Sequence, residues 1–468
     1  MKLLDELTEI LGQQHVLTGP DAAQYGIDWM KKNPCDPLAV LRPANTAQVS
    51  AVMKLANASK TPVVPISGNT GLVGGTHASG ALMISLERLN HIREIRPQSR
   101  IAIVESGVIL ANLHDACEQH GLAFPLFFGA RGSAMIGGNL STNAGGSNVL
   151  RYGNTRSLTL GLEVVLPDGT IVDLMSELHK DNTGYDLKNL FIGAEGTLGI
   201  ITAAVLKLVP KPRAYATAMV AVASLPAALT LLNRLQDASS GMVEGFEFMP
   251  RTYMDRLKLT LPELMPPLGY DRDMTILVEL GATAPRDVTP QDDGSIPVVS
   301  LLEDTLGTLA NEGLVQDAVV ARSDTHRMAM WKIRESAAEI SHGRKPMVDT
   351  DIAVPLEKVE QFLATALRRL KEMDADAETI TVSHLGDGNL HFTIWPTRDD
   401  AELLITLRNM VDETAVDLGG SFSAEHGIGI SKLGSMSRLK NPVALATMQK
   451  IKSALDPDNI MNPGKVLP

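Results

Sequence analysis

At 468 residues the chain is longer than one hydrophobic core can serve, so two or more domains are expected. Its 44% hydrophobic and 21% charged content is ordinary for a globular protein, and a net charge of −12 without a long Lys/Arg run argues against a nucleic-acid partner. Cys35 and Cys117 are too few for a disulfide framework or a cysteine metal site, and no run reaches the ~18 apolar residues of a membrane span, so a cytoplasmic protein is expected, at most peripheral to the inner membrane.

The N-terminus, MKLLDELTEILGQ, places acids at Asp5, Glu6 and Glu9 and reads as an amphipathic helix rather than a signal peptide. Residues 1–33 are expected to be helical, with a compact unit beginning at 34–43 and a short strand over 38–41. The apolar spacing of Val49, Val52, Met53 and Ala56 predicts a helix over 46–59. Val63, Val64 and Ile66 then form a buried strand that runs into a loop with Gly68, Gly71, Gly74 and Gly75. Glycine leaves φ > 0 accessible, so successive N–H groups can converge on one anion, a diphosphate foremost. The loop lacks the GKS or GKT of a Walker A motif and the spacing of GxGxxG, and a ligand-free glycine turn is the competing reading. Strands follow over 81–86 and 101–105, then a helix over 110–120 stopped by Gly121. A second glycine cluster, GGNLSTNAGG, occupies 137–146. Pro167-Asp168-Gly169 predicts a hairpin between 160–166 and 170–173. The third cluster, GAEGTLG at 193–199, enters an apolar strand over 200–208, and Pro210 and Pro212 mark a domain boundary.

From Ala216 strand, helix and strand recur three times: 219–223, 227–238 and 243–248; 274–280, 298–312 and 314–321; 348–354, 356–372 and 379–385. One sheet with helices packed on it is expected. Residues 284–297 read as a mobile polar loop, and 455–468 as a turn-rich structured tail.

The sequence HLGDGNLH at 384–391 reads as a hairpin whose four-residue turn sets His384 opposite His391, with Cβ atoms roughly 5 Å apart. Two imidazoles so placed, with Glu425 as a third ligand, suit Zn²⁺ foremost, or Mn²⁺ or Fe²⁺, and leave coordination positions for substrate. His426 beside them is a candidate base. The bland alternatives are a purely structural hairpin and, for Arg334, a surface charge.

Six motifs in order, PISGNTGLVGG (65–75), IGGNLSTNAGG (136–146), GAEGTLGIIT (193–202), HLGDGNLH (384–391), SAEHGIG (423–429) and NPGKV (462–466), resemble the flavin-dependent D-2-hydroxyacid dehydrogenases of the vanillyl-alcohol oxidase, or p-cresol methylhydroxylase (PCMH)-type, superfamily. The group includes cytochrome-linked D-lactate dehydrogenases, D-2-hydroxyglutarate dehydrogenases and the glycolate oxidase flavoprotein subunit. The resemblance implies an α+β protein: a two-subdomain PCMH-type FAD-binding domain (1–212), an α/β cap domain with an antiparallel sheet (213–425), and a C-terminal segment returning to the flavin domain (426–468). It implies FAD contacts at Pro65, Ser67, Gly68, Asn69, Thr70, Gly71, Gly74, Gly138, Ser141, Thr142, Gly145, Gly146, Glu195, Gly199, Ile200 and Asn462. Relatives with covalent flavin use a histidine in the first loop; Asn69 stands there, so dissociable FAD is expected. By the same likeness His384, His391 and Glu425 are metal ligands, His426 the base and Arg334 the clamp for a substrate carboxylate. The implied reaction is oxidation of a D-2-hydroxy acid, of the D-2-hydroxyglutarate or D-lactate class, to its 2-oxo acid by hydride transfer to flavin N5. Electrons would pass to an electron-transfer flavoprotein, a quinone or a cytochrome, and a homodimer is compatible with the likeness. The chain departs from the hydroxyglutarate enzymes at Asp349, Ala338 and Thr393, where they carry lysine, threonine and asparagine; Lys345 or Arg344 are the candidate substitutes for the lysine. The alternatives are a flavoprotein subunit of a glycolate-oxidase-like complex, inactive without partners, and a metal-dependent hydrolase.

Overall fold

The computed structural model describes residues 2–468; of the expected N-terminal helix, Met1 lies outside the described residues. The chain forms two units. The first comprises the chain up to Gly145, Gly153–Pro210 and Glu425–Pro468; the second comprises Gly146–Tyr152 and Lys211–Ala424.

In the first unit the helix Lys2–Leu11 buries Leu7 and Leu11, while Gly19–Tyr25 is a 3₁₀ stretch. Strands β1 (Val16–Leu17), β2 (Ala39–Leu41), β3 (Val63–Ile66) and β4 (Leu82–Ser85) form a sheet in the order β1-β2-β4-β3. β2 and β3 both run parallel to β4. Between β2 and β3 the helix Thr46–Ala58 is capped by Asn45, whose side chain accepts the Gln48 N–H at 2.9 Å. It buries Val49, Val52, Met53 and Ala56 completely, as their spacing predicts.

A second sheet contains β5 (Ile92–Arg96), β6 (Ile101–Glu105), β8 (Thr159–Val165), β9 (Ile171–Leu174) and β10 (Ile200–Lys207), ordered β5-β6-β10-β8-β9 and antiparallel throughout. The short strands β7 (Leu122–Ala123) and β11 (Val209–Pro210) pair separately. The β8–β9 turn forms where Pro167-Asp168-Gly169 places it. Gly169 takes φ +82°, and the Asp168 carboxylate accepts the Thr170 N–H at 2.8 Å. The C-terminal segment extends the edge at β3. Val63 N–H donates to Ile460 O and Asn462 N–H to Val63 O, both at 2.7 Å.

The second unit is built on β12 (Ala214–Val222), β13 (Val243–Pro250), β14 (Met274–Ala282), β15 (Val315–Val320), β16 (Val348–Ala353), β17 (Glu378–His384) and β18 (Asn389–Trp395), in the order β15-β12-β14-β13-β17-β18-β16. Every neighbouring pair is antiparallel. The strand–helix–strand rhythm is therefore not a run of adjacent parallel strands. The helix Leu225–Ser239 joins β12 to β13, which point the same way but are separated by β14 inserted between them, a split βαβ arrangement. One sheet face packs Phe246, Phe248, Val278 and Phe392 under the helices Leu225–Ser239, Pro297–Asn311, Val359–Met373 and Ala401–Asp417. The other packs Met219, Met249, Leu277 and Val382 under Arg251–Thr260 and Asp324–Glu335. The polar 284–297 stretch contains one helical turn, Pro285–Val288, and is otherwise irregular.

The β17–β18 hairpin forms, with a register that differs from the expected one. His384 pairs with Asn389 and Val382 with His391, so the four-residue turn is 385–388 and the two histidines are diagonal rather than opposed. A two-residue shift preserves the face each side chain occupies, and the rings still meet edge-on with centroids 5.6 Å apart. Gly388 explains the turn's position. Its φ is +79°, and a Cβ there would lie 2.2 Å from Val354 O. Gly388→Ala should therefore lose on the order of 1–3 kcal/mol from backbone strain alone, seen as a lower urea midpoint. An unchanged midpoint would show that the turn relaxes around the methyl group.

Candidate active site

The first glycine loop leaves β3 at Pro65 and Ile66. Asn69 sits at φ +51°, its side-chain Nδ2 donating to Ile27 O at 3.0 Å and its Oδ1 accepting from Thr76 Oγ1 at 2.7 Å. Its carboxamide thus braces the loop from within. Gly68 allows backbone to approach backbone: a Cβ would stand 2.2 Å from Ser133 O. At Gly71 a Cβ would meet nothing within 4 Å, so this part of the loop is open. Thr70 lies between them, half-buried.

The second cluster forms the helix Ile136–Thr142, which ends in left-handed Asn143. Gly138 and Gly137 face Ser67: a Cβ on either would lie 3.5 and 3.2 Å from its side chain. Ser141 and Thr142 donate back to the carbonyls of Gly137 and Gly138 at 2.7 and 3.0 Å. Gly145 and Gly146 follow, the latter at φ +149°.

The third cluster has a different task from direct ligand contact alone. Glu195, at φ +50° and buried, accepts N–H bonds from Ile428 at 2.7 Å and Gly429 at 2.8 Å. Burial pushes its carboxyl above the ordinary range, against the pull of those two amides and of Lys432. Gly199 is needed for packing, since a Cβ would meet Val164 and Val165 at 2.9 and 3.0 Å, and Ile200 is buried in the core of this unit. Asn462 joins the motifs: its Nδ2 donates to Gly75 O at 3.0 Å and to Glu195 O at 2.8 Å. Lys452, which no motif singled out, donates to Thr197 O and Met461 O at 2.8 and 2.7 Å.

In the second unit the sheet carries two of the other expected residues, His384 and His391, while Glu425 and His426 belong to the first unit. His391 on β18 is paired with Asp351 on β16. Within this unit Asp351 and His391 thus stand side by side on the ladder, a carboxylate and an imidazole. Donors of these two kinds suit a divalent cation. Asp351 was not among the residues singled out in the sequence. Its signal was faint: in VDTDIA, Asp349 and Asp351 alternate onto one face, and only the cross-strand register reveals His391 opposite. His384 ends the neighbouring strand, β17. Its Nδ1 lies 2.9 Å from Glu247 Oε1.

Arg334, from the helix Asp324–Glu335, is buried rather than a surface charge. Its Nε donates to Glu247 Oε2 at 2.7 Å, and its Nη2 is buried without a hydrogen-bond partner. Burial raises the Glu247 carboxyl, but the charges of His384 and Arg334 outweigh it and hold the group below the usual carboxylate range. Asp349 accepts from Thr393 Oγ1 at 2.8 Å and lies 3.6 Å from His342 Nε2. Arg344 donates to Glu378 at 2.6 Å and is thereby engaged at the far end of β17. Ala338 lies in the helix Ala337–His342.

A family model for "FAD linked oxidases, C-terminal domain" matches residues 211–466, and one for "FAD binding domain" matches residues 37–175. The mitochondrial D-2-hydroxyglutarate dehydrogenase of Arabidopsis thaliana is 34% identical over 462 residues, covering 98% of this chain and 80% of that one. The D-2-hydroxyglutarate dehydrogenase of Stutzerimonas stutzeri is 34% identical over 475 residues, covering 99% of this chain and 98% of its own. The chain belongs to the FAD-linked oxidases. Two solved structures share its fold at low identity: p-cresol methylhydroxylase with substrate bound (TM-score 0.76, 17% identity, 99% of this chain and 96% of that one) and alkyldihydroxyacetonephosphate synthase (TM-score 0.72, 15%, 99% and 86%). The α+β, PCMH-type architecture is thus the one expected.

This FAD-linked oxidase is an oxidoreductase that binds FAD, and its first unit fits the cofactor. The loop at Gly71 is open, and Ser106 Oγ, Asn139 Nδ2 and Asn462 Oδ1 are buried polar atoms without a hydrogen-bond partner among the described residues. Buried polar groups are ordinarily paired, so such atoms mark where a polar ligand completes the structure. If Glu195 fastens the C-terminal segment as its two bonds indicate, Glu195→Ala should accelerate hydrogen exchange at Ile428 and Gly429. Protection equal to the wild type would show that the segment is held by other contacts.

Proposed function

We propose that this FAD-linked oxidase oxidises a D-2-hydroxy acid, of the D-2-hydroxyglutarate or D-lactate class, to the corresponding 2-oxo acid. The observation that carries the proposal is the buried, partnerless Nη2 of Arg334 on the sheet face that also bears His384 and His391. An orphaned guanidinium nitrogen is a donor awaiting an anion, and a carboxylate is the anion it matches best. The relatives' names, which specify a hydroxyglutarate, point to the same substrate chemistry.

FAD, when bound, supplies the hydride acceptor, N5. A divalent cation, zinc foremost and Mn²⁺ or Fe²⁺ as alternatives, would be held by His384, His391 and Glu425, with Asp351 as a further donor, and would supply Lewis acidity toward the substrate's hydroxyl oxygen. Arg334 binds the carboxylate and so selects the face of the α-carbon presented for reaction. His426 takes the hydroxyl proton. An imidazole's unperturbed pKa near 6.5 suits that exchange at neutral pH. Asn69 stands where relatives with covalent flavin carry a histidine, so the flavin is dissociable. An electron-transfer flavoprotein, a quinone or a cytochrome would serve as the electron acceptor.

A panel of D- and L-2-hydroxy acids with an artificial acceptor, with and without chelator, tests this reading. Turnover is expected only with D-acids and only without chelator, FAD staying bound and a divalent ion restoring activity. Full activity in a metal-free preparation excludes the metal's role. His426→Ala should slow single-turnover flavin reduction by about 10²–10⁴, with metal and FAD contents measured on the same preparation. A wild-type rate with both retained excludes His426 as the base.

A further inference from the structure

Glu247 belongs to none of the sequence motifs, yet it touches two of the residues that the proposed reaction requires. It lies on β13 with a side chain 1% exposed, its Oε2 accepting from Arg334 Nε at 2.7 Å and its Oε1 2.9 Å from His384 Nδ1. Two of its neighbours on the same face are apolar: Leu277 is paired with it across the β13–β14 ladder and Met249 is two residues along the strand, while His384 is paired with it on the β17 side. An apolar side chain would pack there, and replacing a buried ion pair by packed hydrophobic groups is often neutral or stabilising. Stability alone does not account for a carboxylate at this position.

The bonds explain it through their direction. An ionised carboxylate only accepts hydrogen bonds, so the hydrogen between Glu247 and His384 resides on Nδ1. In a neutral imidazole the lone pair is then on Nε2, the atom that a metal ligand must present. At the other oxygen, Glu247 occupies the Nε edge of Arg334, and the Nη2 left over is buried without a protein acceptor. One carboxylate therefore sets both the tautomer of the histidine and the rotation of the guanidinium.

We propose that Glu247 is a positioning residue that locks His384 in the Nδ1–H tautomer while turning Arg334 toward the substrate carboxylate, fixing the span between the metal ligand and the anion clamp. The inference rests on the reading of His384 as a ligand and Arg334 as the clamp given above.

Glu247→Gln discriminates this role from a merely structural one. The carboxamide has the same shape but a single acceptor oxygen. Arg334 Nε is always a donor and claims that oxygen, so the amide NH₂ faces His384. It can pair with Nδ1 only if that atom is an acceptor, which moves the hydrogen to Nε2 and removes the ligand lone pair.

The test is zinc affinity of the FAD-loaded wild type and E247Q, measured by competition with a chromogenic chelator. FAD content and circular dichroism report folding. Affinity is expected to fall about 10- to 100-fold in E247Q, the usual effect of losing a carboxylate behind a metal-bound histidine. Arg334→Met leaves the Glu247–His384 bond in place and should bind zinc within a few-fold of wild type. Equal affinity in wild type and E247Q overturns the inference while leaving the metal reading intact. A wild type without a zinc site removes the metal reading and this inference with it. Should E247Q fail to fold, ¹³C-histidine NMR of metal-free wild-type protein, with His384 assigned by difference from His384→Gln, decides the question. The Nδ1–H tautomer is the expected result, and Nε2–H overturns it.

Discussion

A carboxylate removed from water costs several kcal/mol unless charge and hydrogen bonds replace its hydration, and one face of the seven-stranded sheet carries four of them. Glu244 is held by Arg151 and Tyr152 at 2.7 and 2.6 Å. Glu279 accepts from Arg327, Trp331 and Thr217 at 2.8, 2.8 and 2.5 Å. Glu247 takes Arg334 and His384. Asp351 accepts from Asn389 Nδ2 at 3.0 Å. The opposite face of the same strands packs Phe246, Phe248, Val278 and Phe392 under four helices, with Thr350, Thr381 and Ser383 also buried there. Strand parity puts Glu247, Glu279 and Asp351 opposite the face of Phe246, Val278 and Phe392, and the bulge between Val243 and Gly245 brings Glu244 to their side, where Met249, Leu277 and Val382 also pack.

That division sets what could be read from the sequence. The glycine loops were legible because their chemistry is local. The positive φ of Gly169 in its turn and the cap at Asn45 each depend on residues within a few positions, whereas the close approach of Gly68 to Ser133 does not. The strands were legible by their apolar runs. Their partners were not, because a helix-linked pair such as β12 and β13 gives no sign in sequence that β14 will enter between them. The hairpin register slipped by two residues for a similar reason. The turn GDGN is compatible with more than one pairing, and the crowding of Gly388 against Val354, some 34 residues away, selects one.

The candidate site shows the same boundary between local and distant information. His391 and Glu425 are recognisable within their own motifs. Asp351 meets His391 only through the β16–β18 ladder. Arg334 gave no indication of being buried, because its partner Glu247 is 87 residues away in the chain. Glu195, expected beside the flavin, has both carboxylate oxygens committed to amides of the SAEHGIG segment more than 230 residues downstream. Glu195 shows that a residue within a ligand-binding motif can serve the motif by fastening another part of the chain.

The placement of Arg334 has a further cause on its own helix. Arg327, Trp331 and Arg334 are spaced i, i+4 and i+7 along Asp324–Glu335, so all three face the sheet. Arg327 also lies over the Tyr215 ring at 4.0 Å, and Trp331 packs where Gly245 leaves room for its indole. Glu279 thus fixes the helix at its first two turns through Arg327 and Trp331, and Glu247 fixes it at the third through Arg334. A helix pinned at two points along one face has neither rotation nor slide left to choose. The guanidinium at its end is therefore presented by a rigid element, and the free-energy cost of orienting it has been met in folding rather than at the moment a substrate arrives.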